Sequence, residues 1–211
     1  MPPSGKTKKG KLTRHAILQA AVQLASQEGL EPLTIGRLAA ELGMSKSGLF
    51  AHFGSKESLQ LATIEAASEV FRQAVVRPAL GHPKGLVRLW ALCQAFLDYE
   101  ADQVFNGGCF FAMVTAEFKN RPGLVRDTLV LRMEDWMSFL GTLIGDAQVA
   151  GELEDDLDPG ALALELQALF MGANWAYQLL GQDSAIDTTR ASIRHRLQRL
   201  ATPQGAPRLA A

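Results

Sequence analysis

The sequence predicts an all-α protein of about nine helices, and three observations carry that prediction. Strand signals are missing: no run sustains apolar/polar alternation, and no Asn-Gly or Asp-Gly pair sits between β-branched stretches. Ala, Leu, Gln, Glu and Arg instead recur at three- and four-residue spacing, the period that lays an apolar stripe along a helix. A content of 47% hydrophobic and 20% charged residues over 211 positions is an ordinary globular balance, which excludes a disordered or collagen-like chain. Such a length holds one large domain, or a small domain beside a larger one.

The first helix is expected after Thr13, with Ile17, Ala20, Ala21, Leu24 and Ala25 on one stripe; Gly29 ends it and Leu30 packs back. Thr34 reads as the N-cap of a short second helix, in which Leu33 and Leu38 form a hydrophobic staple. That helix runs through Leu42 and stops at Gly43. Ser45 caps a third, Met44 and Leu49 repeat the staple, and Phe50 and Phe53 follow before Gly54. A fourth starts at Ser55 and carries Leu59, Ala62, Ala66 and Val70 up to a break at Pro78. Leu86, Leu89, Trp90, Cys93, Phe96 and Leu97 share one face of a fifth. A loop around Asn106-Gly107-Gly108 leads into the apolar run Cys109 to Val114, which Arg121-Pro122-Gly123 interrupts. A long helix then passes Leu129, Met133, Trp136, Phe139, Leu140 and Leu143 to Gly151. Pro159 after Asp158 opens the next helix and Gly181 closes it. Ile186, Ile193, Leu197 and Leu200 stripe the last, with Arg190, Arg194, Arg196 and Arg199 elsewhere on it.

Two short helices separated only by Gly43 and Met44 are a helix-turn-helix candidate. Ala39 is small enough for the next helix to cross closely, Gly43 permits a positive φ at the sharp turn, and Leu49 faces inward. Around them, Ala16-Ile17-Leu18-x-Ala20-Ala21, the Thr34 cap, the Gly43 turn and His52-Phe53-x-Ser55-Lys56-Glu57 occur in register. On these motifs, residues 12–59 resemble the DNA-binding domain of the TetR family of transcriptional repressors. The resemblance implies an N-terminal three-helix helix-turn-helix domain whose third helix enters the major groove of a double-stranded DNA operator, while the starts of helices two and four grip the backbone.

The residues it marks for DNA are Thr34, Ser45, Lys46, Ser47, Gly48, Phe50, His52 and Lys56. Ser45, Lys46, Ser47 and Gly48 form the first turn of the recognition helix, where side chains reach base edges and Gly48 removes bulk. Thr34 and Lys56 sit at helix N-termini, where backbone N–H groups favour a phosphate. His52, one turn beyond Gly48, reaches a base or a phosphate. The family often carries two tyrosines where this chain has Phe50 and Ala51; Phe50 keeps the ring without the hydroxyl donor, and Ala51 replaces neither.

The formal net charge of -1 argues against nucleic acid only as a whole-chain sum. Over residues 1–56, eight lysines and arginines face three glutamates, a balance of +5, which leaves -6 on the rest. The expected layout is a disordered basic arm over 1–11, the helix-turn-helix domain over 12–58, a larger helical effector-binding and dimerisation domain over 59–201, and a disordered tail over 202–211. The arm would add a salt-sensitive, sequence-independent contribution to DNA binding.

From Ala161 to Gln182 the only charged residue is Glu165. A helix apolar on all sides is buried on all sides. Its length of roughly 22 residues reaches across a bilayer, but Glu165, Gln167, Asn174 and Gln178 and the acidic approach argue against insertion. One face against its own domain and another against a second copy of the chain fits better, with Leu166, Phe170, Ala173, Tyr177, Ile193, Leu197 and Leu200 as the expected homodimer interface. An apolar effector pocket is expected among Trp90, Cys93, Phe96, Tyr99, Phe110, Phe111, Met113, Trp136, Phe139 and Phe170, and the family resemblance implies that a small hydrophobic effector held there releases the protein from a palindromic operator.

Enzyme motifs are absent. No GxSxG, HExxH or paired-carboxylate arrangement stands out, and the Gly48 to Lys56 segment has the wrong spacing for a phosphate loop and no strand before it. The sequence calls for no metal and no cofactor. Without an apolar leader it points to the cytoplasm, where Cys93 and Cys109 stay reduced. Two other readings remain open: a redox- or modification-sensing regulator acting through Cys109, at a helix start behind Gly107-Gly108, and a helical small-molecule-binding protein without DNA activity.

Overall fold

The computed structural model describes the backbone of residues 5–209 and the side chains of residues 13–209. Among these, nine helices follow one another when the run 56–80 is counted once. They are α1 (Gly5–Glu28), α2 (Ile35–Leu42), α3 (Lys46–Phe53), α4 (Lys56–Phe71, continued by a π-turn at Arg72–Val76 and a last turn at Arg77–Leu80), α5 (Leu86–Ala101), α6 (Phe110–Phe118), α7 (Leu124–Val149), α8 (Pro159–Leu180) and α9 (Ala185–Leu200). A 3-10 turn at Ala206–Leu209 follows, and one isolated antiparallel bridge joins Leu153 to Ala201. No described helix is long and apolar enough to cross a membrane.

Several of the expected helix ends have a cap behind them. Thr34 Oγ1 accepts the Arg37 N–H at 3.0 Å, Ser45 Oγ accepts the Gly48 N–H at 3.2 Å, and Ser55 Oγ accepts the Ser58 N–H at 3.0 Å. Asp158 caps α8 by accepting the Gly160 N–H at 2.8 Å. Gly43 closes α2 with φ 61°, and Met44 N–H returns to Ala39 O at 2.9 Å.

The chain divides into two compact units, Met1–Glu69 with Phe105–Leu129, and Val70–Val104 with Val130–Ala211. The sequence places one boundary near residue 58; the first unit instead runs further and takes back a later segment. Its core joins Ile17, Ala21, Leu24 and Ala25 of α1 to Leu30, Leu33, Leu38, Leu49, Phe53, Leu59 and Ile64, and to Phe110, Val114 and Phe118 of α6, all buried. Each of the larger of these side chains contributes about 1.5 to 3 kcal/mol on leaving water. The returning loop docks closely: Gly107 N–H donates to Ser26 Oγ at 3.3 Å, and a Cβ on Gly107 would collide with the Ser26 carbonyl.

Several details depart from the pattern reading. The basic arm over residues 1–11 lies partly outside the described residues, and from Gly5 its backbone already belongs to α1, because lysine is a good helix former and no proline falls between Gly5 and Glu28. In α4 the buried residues are Leu59, Gln60, Thr63, Ile64 and Ala67; Ala62 and Ala66 line an open groove with Arg14, His15 and Leu18. Pro78 does not break the helix. The π-turn before it lets Arg77 N–H bond to Arg72 O, a five-residue step that makes room for the pyrrolidine ring.

In the second unit the segment 202–209 is held, not loose. Leu209 is buried, its carbonyl accepts from Arg194 at 2.7 Å, and Arg208 pairs with the buried Glu152 carboxylate at 3.1 Å. Glu152 also accepts the Leu86 N–H at 2.7 Å, so one carboxylate ties the start of α5 to the C-terminal turn.

Candidate functional site

The first turn of α3 is an exposed surface built from small polar residues. Ser45, Lys46 and Ser47 are exposed and Gly48 is half-buried, while Leu49 and Phe53 on the opposite face anchor the helix in the core. The Thr34 and Ser45 hydroxyl oxygens are occupied as cap acceptors, which leaves each O–H as a donor for an incoming acceptor. Lys46 lies over the first turn of α2: its Cε is 3.2 Å and its Nζ 3.5 Å from where a Cβ on Gly36 would stand. Among the described residues it makes no ion pair. Two helix N-termini and an uncompensated ammonium thus share one corner, a potential that an anion completes.

Phe50 projects outward at 56% exposure, an apolar ring suited to a thymine methyl rather than a phosphate. His52 is half-buried with its ring 6.2 Å from that of Phe53, and the Arg14 guanidinium lies over the Phe53 ring at 5.2 Å from its centroid. Lys56, the expected phosphate contact at the start of α4, donates to Glu31 Oε1 at 2.8 Å. Arg37, counted with the basic head, is held between Glu28 at 2.6 Å and Glu41 at 2.9 Å.

Sequence reasoning missed what organises the α1–α2 turn. The Glu117 carboxylate on α6 accepts the N–H groups of Leu30 at 2.7 Å and Glu31 at 3.0 Å, and buried Gln60 Nε2 donates to the Leu30 carbonyl at 2.7 Å. Only the polar interruptions of apolar stripes at 60 and 117 signalled these contacts.

The description "Bacterial regulatory proteins, tetR family" matches residues 17–63, and "Tetracyclin repressor-like, C-terminal domain" matches residues 85–193, more than half of the chain. The chain belongs to the TetR family. It is a DNA-binding transcriptional regulator with a helix-turn-helix domain. It is similar to the transcriptional regulator AcuR of Cereibacter sphaeroides, at 26% identity over 153 residues covering 72% of this chain and 70% of AcuR. Its fold is that of a TetR regulator from Chloroflexus aurantiacus, with a TM-score of 0.85 at 24% identity over 92% of this chain and 98% of that one. It also matches a structure of AibR in complex with isovaleryl coenzyme A and operator DNA, with a TM-score of 0.68 at 21% identity over 89% of this chain and 97% of that one.

The residues expected in an effector pocket are divided between the two units. Phe110 and Phe111 belong to the first unit, with ring centroids 5.3 Å apart, and Met113 on the same helix is 38% exposed. In the second unit Trp90, Cys93, Phe96, Tyr99, Trp136 and Phe170 are buried and Phe139 half-buried. Phe71, absent from the sequence-based set, sits edge-on to Trp136 at 5.1 Å, Tyr99 at 5.5 Å and Phe96 at 5.9 Å, and Phe96 stacks on Phe170 at 4.1 Å. Polar groups accompany these rings: Trp136 Nε1 donates to Gln167 at 2.8 Å, and Asn174 donates to the buried Glu100 carboxylate at 2.8 Å.

Most of the residues expected at a dimer interface are already covered by the chain's own packing. Leu166, Phe170, Ala173, Ile193, Leu197 and Leu200 are buried within the chain itself, and Tyr177 is half-buried, because they form the seam between α8 and its own neighbours. The large apolar residues that α8 turns outward are Leu164, Met171, Trp175, Leu179 and Leu180, the first four sharing one stripe with Ala168. Two apolar registers of one helix whose only charged residue is Glu165 look alike in sequence.

Proposed function

We infer that the chain is a homodimeric repressor that binds a palindromic operator and leaves it when a small hydrophobic effector occupies the second unit. The observation that carries the DNA contact is the exposed first turn of α3, Ser45 to Gly48, with Lys46 uncompensated beside the α2 N-terminus. Ser45, Ser47 and Gly48 meet base edges, Lys46 and Thr34 meet phosphate, Phe50 lies on an apolar base edge, and His52 follows one turn on. Lys56 completes the grip after exchanging its glutamate partner for a phosphate.

Dimerisation is supported by the outward stripe of α8, in which Trp175 is 55% exposed. A contiguous exposed apolar stripe marks an interaction surface, and a two-fold axis through it doubles the recognition helix for a palindrome. The rings around Phe71, with Gln167 bonded to Trp136, supply the mostly apolar character and few polar groups that a small-molecule site needs. Such a protein acts on DNA in the cytoplasm.

Selection of bound duplexes from a random DNA pool tests this reading. Enrichment of one palindrome, lost with Lys46→Ala, supports it. A pool that stays random after repeated rounds sinks it.

A further inference from the structure

We propose that Glu31 is a stand-in for a DNA phosphate: it holds Lys56 while DNA is absent and hands that cation over when DNA binds, so it limits affinity for the DNA backbone. This rests on the reading of Lys56 as a phosphate contact. A carboxylate and a phosphodiester present the same thing to an ammonium, anionic oxygens at hydrogen-bond distance, and the ammonium is a compact charge with three donors that does not distinguish them by shape. Lys56 Nζ already makes such a bond, to Glu31 Oε1 at 2.8 Å, and both side chains are partly open to solvent, so a phosphate can reach the pair.

The carboxylate stays in place because its backbone is fixed. The Glu31 N–H is taken by Glu117 Oε1 at 3.0 Å, the Leu30 N–H by Glu117 Oε2 at 2.7 Å, and the Leu30 carbonyl by Gln60 of α4 at 2.7 Å. A receiver for Glu31 is also at hand. Arg121 Nη1 lies 3.7 Å from Glu31 Oε2, outside hydrogen-bond range but within an ion pair, and its guanidinium rests over the Phe118 ring at 5.7 Å. When Lys56 turns to phosphate, Arg121 keeps the carboxylate neutralised, and no bare anion faces DNA.

The test uses the full chain and a random-sequence DNA duplex, with affinity followed by fluorescence anisotropy over a range of salt. Glu31→Gln should bind about two- to fivefold tighter, the range set by a half-exposed ion pair. The salt slope should stay unchanged, because the number of phosphates neutralised is the same. Lys56→Ala should lower the slope by about one, and adding Glu31→Gln to it should gain nothing. Arg121→Ala should weaken binding in the wild-type background and not in Glu31→Gln. Glu31→Gln binding no tighter than wild type overturns the proposal. So does an equal gain in the Lys56→Ala background, which would be the mere loss of a negative charge. If the wild-type chain binds no duplex at any salt, the DNA reading itself fails and the exchange fails with it.

Discussion

Glu117 accepts the Leu30 N–H at 2.7 Å across 87 positions of sequence, and a Cβ on Gly29, where φ is +90°, would stand 3.0 Å from the same carboxylate. One side chain on α6 therefore holds the turn that aims α2. Glu117→Ala leaves two amides of that turn without their acceptor and is expected to cost about 1 to 3 kcal/mol, read from the urea midpoint. Glu117→Gln, which keeps one acceptor oxygen, should lose less. Equal loss from both would mean that the side chain only fills space.

Gly48→Ala separates reading from folding. Replacing a helix-interior glycine by alanine ordinarily gains about 1 kcal/mol. Here the new Cβ would stand 3.0 Å from Ser45 Oγ and push on the cap, whose loss costs about 1 kcal/mol. The two offset, so the urea midpoint should barely move while affinity for the selected operator falls about tenfold or more, as the first turn of α3 backs away from the bases. Unchanged affinity would remove this turn from the interface.

Elements whose ends are marked by small capping residues were legible in the sequence. Thr34, Gly43, Ser45, Gly54 and Gly181 each stand at the helix end the pattern assigns, because a cap is a local interaction. The recognition turn was legible for the same reason. Contacts between distant segments were not: nothing local to Glu117 names Leu30, and nothing local to Phe71 names Trp136. The two apolar registers of α8 were indistinct for a different reason. Leu164 and Leu166 differ in burial because of what packs beside them, and a period of 3.6 cannot rank two apolar faces of one helix.

The outward face of α8 predicts an asymmetry between two neighbouring aromatics. Trp175→Arg should halve the mass measured by size exclusion with light scattering and leave monomer stability nearly unchanged. Phe170→Ala, fully buried against Phe96, should cost about 3 to 5 kcal/mol. A Trp175→Arg chain that keeps the wild-type mass would move the interface elsewhere.

Two surface carboxyls set an acid limit. Hydrogen bonding from Arg37 holds Glu28, and hydrogen bonding from Lys56 holds Glu31, below the ordinary value of 4.5. A carboxyl whose folded pKa is depressed stabilises the fold above the unfolded value, and that contribution is lost as pH falls through and below 4.5. The thermal midpoint should therefore drop between pH 5 and lower values less steeply in Glu31→Gln than in wild type. Parallel curves would show that the Lys56 pair adds nothing to stability.

The two cysteines supply a test of the redox alternative. Cys93 is fully buried and its thiol is pushed up to about 12 by desolvation, so the thiolate that reacts is scarce at neutral pH. Cys109, at the start of α6 behind Gly107 and Gly108, is only 6% exposed. A reagent must reach a thiol to oxidise or alkylate it, and here the fold stands in the way of both. Native protein should show no fast-reacting thiol with Ellman's reagent at pH 8, and denatured protein should show both. One rapid equivalent in the native state, removed by Cys109→Ser, would restore the sensor reading and place its signal on α6, whose Glu117 grips the α1–α2 turn.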